Sequence, residues 1–404
     1  HADCTGCMAC VNACPRDAIS VREDACGYEY PEIDLSRCVD CGLCERVCPV
    51  RHPAEFHEAS CAYAAASFDS GERESCSSGG MATVAGRYVL EQGGVVYGCA
   101  QLSYREIRHV RVDSPSGLGQ LKGSKYVQSE IRLVYRSVKK DLEEGRPVLF
   151  SGTPCQVAGL KGYLRKDYPH LYTLDLVCHG VPPRRMLRED VESYPATGFP
   201  ADGRADTSVQ FRWKTQYGIQ FGVRFGDRFG ANGAPSSGGK RVRLPHDPYI
   251  LAFSTGLSFR ENCHHCPYSR LPRVGDLTVG DFWGLGAHEA THFRIREGVS
   301  LVLANTPRGA ALWEQLRSRL DVEERTVAEA AAGNWNLRRP SPRPSGKERF
   351  LAEYARGAGL ARACRAGVLR LQYLRIDLME RLKQFRPLVS SFKRLRLLVN
   401  RIRK

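Results

Sequence analysis

The stretch Pro147–Pro182, PVLFSGTPCQVAGLKGYLRKDYPHLYTLDLVCHGVP, decides the fold. Val148–Phe150 is a short apolar, β-rich run that meets the turn Ser151-Gly152-Thr153-Pro154, and Cys155 then opens a helix-like segment, Gln156 to Lys166. A second apolar run, Leu171 to Val177, ends at Cys178-His179-Gly180. Strand, helix and strand in succession predict a βαβ unit, whose crossover sets the two strands parallel. Both cysteines then stand at carboxyl ends on one rim, where open α/β sheets bind their ligands. Two thiols there are half of a metal site, and Cys263-x2-Cys266 offers the other half.

Outward from that unit, 404 residues are enough for two or three domains, each with its own core. Hydrophobic residues make up 42% and charged residues 25%, as in ordinary globular chains, and no apolar run is long enough for a membrane span. The first residues, HADCTGC, carry no apolar signal segment, and a start without Met suggests trimming. Seventeen cysteines, grouped at metal-ligand spacings in a large chain, point to a reducing, cytoplasmic compartment where thiolates stay free for metal. The net charge of +15 is concentrated at one end, since residues 361–404 hold thirteen Lys or Arg against two acids. The body is close to balanced, which argues against nucleic acid as a partner.

Cys4-x2-Cys7-x2-Cys10-x3-Cys14-Pro15 recurs as Cys38-x2-Cys41-x2-Cys44-x3-Cys48-Pro49. This is the spacing of a bacterial two-cluster ferredoxin, in which three cysteines hold one 4Fe-4S cluster and the fourth reaches across to the other. Cys4, Cys7, Cys10 and Cys48 are expected round one cluster, and Cys38, Cys41, Cys44 and Cys14 round the second. Zinc ribbons are the competing reading, but zinc takes separated pairs of ligands rather than two identical runs of four. Two adjacent clusters imply one-electron transfer.

Residues 53–75 read as a partly helical connection with Ala62–Ala66 at its core. Ser77-Ser78-Gly79-Gly80 precedes an apolar helical pattern, Met81–Leu90; small residues there either offer backbone N–H groups to an anion or simply cap the helix. Val95–Tyr97 reads as the next strand, and His109–Val112 continues the sheet. Gly123-Ser124-Lys125-Tyr126 lies in a polar loop before a helix predicted over Glu130–Glu143; Lys125 and Tyr126 suit a phosphate and a ring, or an ordinary solvated loop. Val209–Trp213 and Ile219–Phe225 alternate about Tyr217-Gly218 as a hairpin does, and 230–240 is a Gly-rich loop. Beside Cys263 and Cys266, His264 and His265 are tempting extra ligands of a zinc site.

With the motifs SSGG (77–80), GSKYVQS (123–129), SGTPCQ (151–156), DLVCHGVP (175–182), CHHCPY (263–268) and DLTVGDFWG (276–284), the chain resembles the beta subunits of coenzyme F420 hydrogenases and dehydrogenases. The resemblance runs from about Ser75 to Gly284, and a ferredoxin head is a common companion of that family. It implies FAD beside a third 4Fe-4S cluster, exchanging hydride with a deazaflavin such as coenzyme F420 or, in branches of the family, reducing other substrates. It also implies that Cys155, Cys178, Cys263 and Cys266 hold that cluster. Ser77, Ser78, Gly79, Gly80, Gly123, Ser124, Lys125, Tyr126, Ser151, Gly152, Thr153 and Pro154 are implied as flavin contacts. No residue is singled out as catalytic, and Cys26, Cys61, Cys76, Cys99 and Cys364 are left without chemistry. Gly284-Leu285-Gly286 lacks the third glycine and the strand–helix setting of a dinucleotide fingerprint, which disfavours a two-Rossmann NADPH–FAD reductase.

The expected architecture is mixed α+β and α/β. A bacterial-type two-cluster ferredoxin fold (1–53) leads through a linker (54–75) to an α/β flavin and 4Fe-4S domain with a βαβ core (76–335), then a Pro-rich linker (336–347) and a basic amphipathic helical tail (348–404). In the tail Leu369, Tyr373, Ile376 and Met379 recur at helical spacing, Pro387 breaks or kinks the helix, and Phe392, Leu395, Leu398 and Ile402 continue amid Lys393, Arg394 and Arg396. Such a stretch lies on the inner face of an anionic membrane, binds an acidic partner, or packs on its own domain. The expected function is an iron–sulfur flavoprotein oxidoreductase passing electrons between a hydride carrier, FAD and 4Fe-4S clusters to a redox partner protein or small-molecule acceptor. The competing reading is an electron-transfer subunit without its own substrate, serving a partner enzyme.

Overall fold

The computed structural model describes residues 3–194, 208–215, 218–226, 241–243 and 246–384. The loop expected at 230–240, Tyr217, Pro387 and the pattern from Phe392 to Ile402 lie outside the described residues. In the head, α1 (Ala9–Ala13) and α2 (Leu43–Arg46) flank an antiparallel hairpin of β1 (Ile19–Glu23) and β2 (Glu29–Ile33).

The body is built on one eight-stranded sheet. Its strands are β3 (Cys61–Ser67), β4 (Val95–Gln101), β5 (Ile107–Val112), β6 (Val148–Gly152) and β7 (Leu171–Leu176), followed later by β11 (Leu277–Asp281), β12 (Ser300–Ala304) and β13 (Leu320–Arg325). Between them β8 (Ser208–Thr215), β9 (Gly218–Gly226) and β10 (Arg241–Arg243) form a separate antiparallel sheet, with β8 and β9 as the expected hairpin. The large sheet runs β13-β3-β12-β11-β7-β6-β4-β5. Its middle strands β11, β7, β6 and β4 are mutually parallel, so their carboxyl ends share a rim, while the flanking pairs are antiparallel. Val148, Leu149 and Phe150 of β6 are all buried, as a strand covered on both faces requires.

One face packs on α4 (Met81–Glu91) and α9 (Pro307–Arg317), through Met81, Val84, Val89, Trp313 and Leu316. On the other face α5 (Val134–Glu143) and α6 (Pro154–Leu164) pack together with the head, whose Cys7, Ala9 and Val47 join the core of Tyr135, Val157 and Leu160. A further core gathers α7 (Arg184–Ser193), α8 (Pro248–Ser254) and the small sheet.

The structure corrects three of the expected boundaries. The 54–75 segment is not a connection: β3 is hydrogen-bonded between β12 and β13, and only α3 (Ser70–Ser75) is helical. Tyr63 and Ala65 enter the core with Met81 and Trp313 while Ala62 and Ala64 pack on the other face with Leu301 and Leu303, so burial of both faces overrides the helix preference of alanine. Residues 348–368 are not a free tail, because α11 (Lys347–Ala355) and α12 (Leu360–Gly367) bury Phe350, Tyr354, Leu360 and Ala363 against α7 and α8. The Pro-rich 336–347 segment lies on the rim rather than bridging open space: Ser341 Oγ donates to the His179 carbonyl at 2.7 Å and Arg343 pairs with Glu261 at 2.6 Å.

Candidate cofactor site

Each rim cysteine is placed by local sequence chemistry. Thr153 N-caps α6 in a capping box with Gln156, whose Oε1 accepts from the Thr153 N–H at 3.0 Å, and Pro154 fills the first helical position. Cys155 is thereby fixed in the first turn beyond β6, with Thr153 Oγ1 3.2 Å from its sulfur. Cys178 follows β7 and leads to Gly180 at φ +136, where a Cβ would stand 2.5 Å from the Phe259 ring; only glycine lets this loop meet the one carrying Cys263. Arg260 N–H then donates to the Val181 carbonyl at 3.1 Å. The second cysteine pair is anchored by Arg273, fully buried, whose guanidinium meets the buried Asp175 carboxylate of β7 at 2.7 Å and the Tyr268 carbonyl at 2.6 Å.

The four thiols lie within electrostatic reach of one another. Burial, then the neighbouring sulfurs of Cys266, Cys178 and Cys263, push the Cys155 thiol well up, and burial with the Cys263 and Cys266 sulfurs pushes Cys178 up to about 12. Among the described residues no three His, Cys, Asp or Glu side chains form a group able to hold a metal ion. Four thiols from three loops, with no carboxylate among them, are of a donor type that both zinc and iron–sulfur clusters take. His264 and His265 stand apart from it. His264 is within 3.1 Å of the Ser341 carbonyl on one nitrogen and 3.0 Å of Lys347 on the other, while His265 is exposed and faces Glu261.

In the head, burial followed by the sulfurs of Cys4 and Cys48 pushes Cys7 up to about 11, and burial with Cys7, Cys4 and Cys48 pushes Cys10 up to about 12, so these four lie together. Cys44 is raised by burial and, less, by Cys41, whereas Cys38 and Cys41 are exposed. The inner set is close to the rim: Tyr135 Oη is 2.9 Å from both the Cys7 and the Gln156 carbonyls, and buried Tyr268 feels the sulfurs of Cys155, Cys7, Cys266 and Cys48.

Behind the rim lies a cavity of about 330 Å³. Ser77, Ser78, Gly80, Gly123, Ser124, Lys125, Tyr126, Ser151, Gly152 and Thr153 line it together with Cys155 and Cys178. Gly79 and Pro154 do not: Gly79 is buried behind the wall with its N–H on Ser300 Oγ, and Pro154 is buried in the first turn of α6. Lys125 is half-buried, and desolvation lowers its ammonium pKa; it donates to the Leu121 and Lys122 carbonyls at 2.7 and 2.8 Å and makes no ion pair among the described residues. A half-buried cation of this kind favours an anionic ligand. Other wall residues come from distant parts of the chain: Thr5 and Gly6 of the head and Arg212 of β8, which no motif marks, and Asp281 and Trp283, which lie within the 276–284 motif but to which the resemblance assigns no site role. Arg212 and Asp281 form a bidentate pair at 2.5 and 3.1 Å across the two sheets. His109, pushed down to about 4 by burial, sits 2.7 Å from Ser129 Oγ and 3.0 Å from the Ser151 carbonyl and braces the wall as a neutral ring.

Residues 145–330 match the family model for the carboxyl-terminal part of the coenzyme F420 hydrogenase/dehydrogenase beta subunit, and residues 3–52 match the 4Fe-4S dicluster domain. Over those residues the chain carries the carboxyl-terminal domain of the coenzyme F420 hydrogenase/dehydrogenase beta-subunit family. It is an iron–sulfur electron-transfer protein of that family, with 4Fe-4S clusters in its dicluster head. The head is 48% identical over 50 residues to a protein named ferredoxin 7Fe from Hydrogenibacillus schlegelii, a match covering 12% of this chain and 55% of the ferredoxin. It is 38% identical over 50 residues, 12% of this chain and 67% of the relative, to an uncharacterized protein in the rpl9-rpl11 intergenic region of Porphyra purpurea. A chain of the structure titled Xenon derivatization of the F420-reducing [NiFe] hydrogenase complex from Methanosarcina barkeri aligns over 76% of this chain and 91% of its own, with a TM-score of 0.46 and 17% identity.

Proposed function

We propose that the protein is an iron–sulfur flavoprotein oxidoreductase that moves electrons between a hydride carrier, reduced coenzyme F420 or a similar compound, and an acceptor. The observation that carries this reading is one cavity lined at once by the three loop motifs expected round a flavin and by Cys155 and Cys178. When bound, FAD supplies the exchange between two-electron hydride chemistry and one-electron carriers. The chain's own part is binding, orientation and exclusion of water. Lys125 would take a phosphate, Gly80 and Gly123 would leave room for close approach, and Tyr126 and Trp283 would border the ring, all five being residues of the cavity wall. Cys155, Cys178, Cys263 and Cys266 hold the third cluster, Cys4, Cys7, Cys10 and Cys48 the inner head cluster, and Cys14, Cys38, Cys41 and Cys44 the outer one.

A second reading, an electron-transfer subunit with no substrate of its own, is favoured by the exposure of Cys38 and Cys41, which opens the outer end of the series to a partner protein. Anaerobically purified protein separates the two. About twelve irons and one FAD per chain are expected on the first reading, with bleaching of the flavin band on addition of reduced coenzyme F420. Iron and sulfide without flavin would replace it with the second.

No helix among the described residues is long and apolar enough to cross a membrane. The basic end of the chain is read as a peripheral contact. On α13 (Arg370–Gln384), Tyr373 and Ile376 pack inward while Leu371, Leu374 and Leu378 are exposed, a leucine stripe beside Arg375 that suits an anionic lipid surface.

A further inference from the structure

A second concavity lies apart from the cofactor cavity. A cleft of about 1250 Å³ opens between the small sheet and the β3 side of the large one, and no cysteine lines it. Lys214 of β8 stands in its wall. Its ammonium donates to the Ser78 carbonyl at 2.7 Å and to the Arg73 carbonyl, so two of its three N–H groups are satisfied. Its charge is not, because Lys214 makes no ion pair among the described residues. A merely structural lysine would tie α3 to β8 in this way, but a half-buried cation without a counter-charge is costly unless an anion completes it.

The carboxylates nearby do not answer that charge. Glu297 is held between Arg73 at 3.6 Å and Arg294 at 3.5 Å, Asp321 faces His292 at 2.8 Å, and Glu74, exposed in the same lining, pairs with neither Lys214 nor any other cation among the described residues. Arg296, exposed in the same cleft, makes no ion pair among the described residues either. Beside these cations Phe293 and the half-exposed Ile295 offer an apolar wall.

We propose that this cleft is a second ligand site, separate from the cofactor cavity, that takes a large organic anion: carboxylate or phosphate on Lys214 and Arg296, its apolar part against Phe293 and Ile295. The two sites are back to back. Ser78 lines the cofactor cavity and accepts from Lys214, and Gly298 of the cleft packs so closely behind it that a Cβ there would be 3.1 Å from Ser78 Cα. That the cleft binds an anion does not rest on the flavoprotein reading.

The test titrates citrate and, separately, pyrophosphate into the full-length, anaerobically purified protein at constant ionic strength set with sodium chloride. Thermal midpoint and tryptophan fluorescence are followed. The expected result is a saturable response to at least one of them, weakened tenfold or more in Lys214→Gln and in Arg296→Gln and retained in Lys214→Arg; whichever anion saturates at lower concentration names the preferred group. Arg296 is exposed, so its variant folds even if that at Lys214 does not. No saturable response, an equal response in wild type and both variants, or a response lost in Lys125→Gln but kept in Lys214→Gln would overturn the proposal. Neither readout requires flavin, so this test and that of the cofactor reading fail independently.

Discussion

At the scale of single residues, the least expected chemistry lies away from the cavities. Asp190 of α7 and Asp247, the N-cap of α8, are buried side by side. Asp247 accepts from the Ile250 N–H at 2.7 Å and from Tyr194 Oη at 2.8 Å, yet burial pushes its carboxyl up to about 6, and burial plus the Asp247 charge pushes Asp190 well up. The folded pair therefore keeps a proton that the unfolded chain releases near the ordinary carboxylate value. For Asp247 the stability contribution is full below that value and is lost as pH rises through its folded value near 6, and Asp190, raised further, loses its own in the same direction. Urea unfolding at pH 4.5 and pH 7 should show a loss of roughly 2–3 kcal/mol from this pair, and Asp190→Asn should remove that part of the slope. An unchanged slope in the variant would show that the pair carries no shared proton. Nothing in the sequence marks this pair, since fifty-six intervening residues separate two ordinary aspartates and only the packing of α7 on α8 joins them.

At the scale of elements, α6 does more than bridge two strands. Gly159 and Gly162 face the head from successive turns: a Cβ on Gly159 would sit 2.9 Å from Cys7 Sγ, and one on Gly162 would sit 2.5 Å from the Val47 carbonyl. The contact is so close that the helix carrying Cys155 also forms the seat of the inner head cysteines. Gly162→Ala should lower stability by about 1–3 kcal/mol through overpacking against backbone and expose the 53–60 segment to protease; a thermal midpoint and cleavage pattern equal to wild type would refute the seat. The βαβ unit, both its parallel strands and both its cysteines were legible in the sequence because apolar runs, the T-P-x-Q cap and the glycine turns all act locally. The two four-cysteine runs were legible for the same reason. β3 was not: its row of alanines round Tyr63 favours helix, and only neighbours on both sides and both faces make it a strand. Arg212 and Asp281 were equally hidden, because their pairing depends on how the small sheet stands over the large one.

At the scale of the whole molecule, charge and apolar surface are segregated towards the carboxyl end. Wild-type protein should sediment with vesicles containing about a third anionic lipid and be released as salt rises, whereas a chain ending at residue 369 should stay in the supernatant, as should wild type with purely zwitterionic vesicles. Equal sedimentation of the two chains would end the membrane reading. The remaining consequence concerns how this protein can be cut. Domain boundaries drawn from motifs alone would separate head from body at residue 75, and such a cut would withdraw β3 from between β12 and β13, splitting the sheet at its second position and leaving β13 stranded. A grafting or swapping experiment has to cross ahead of Cys61, and even there the incoming head must bring a backbone shaped to lie against two bare glycines.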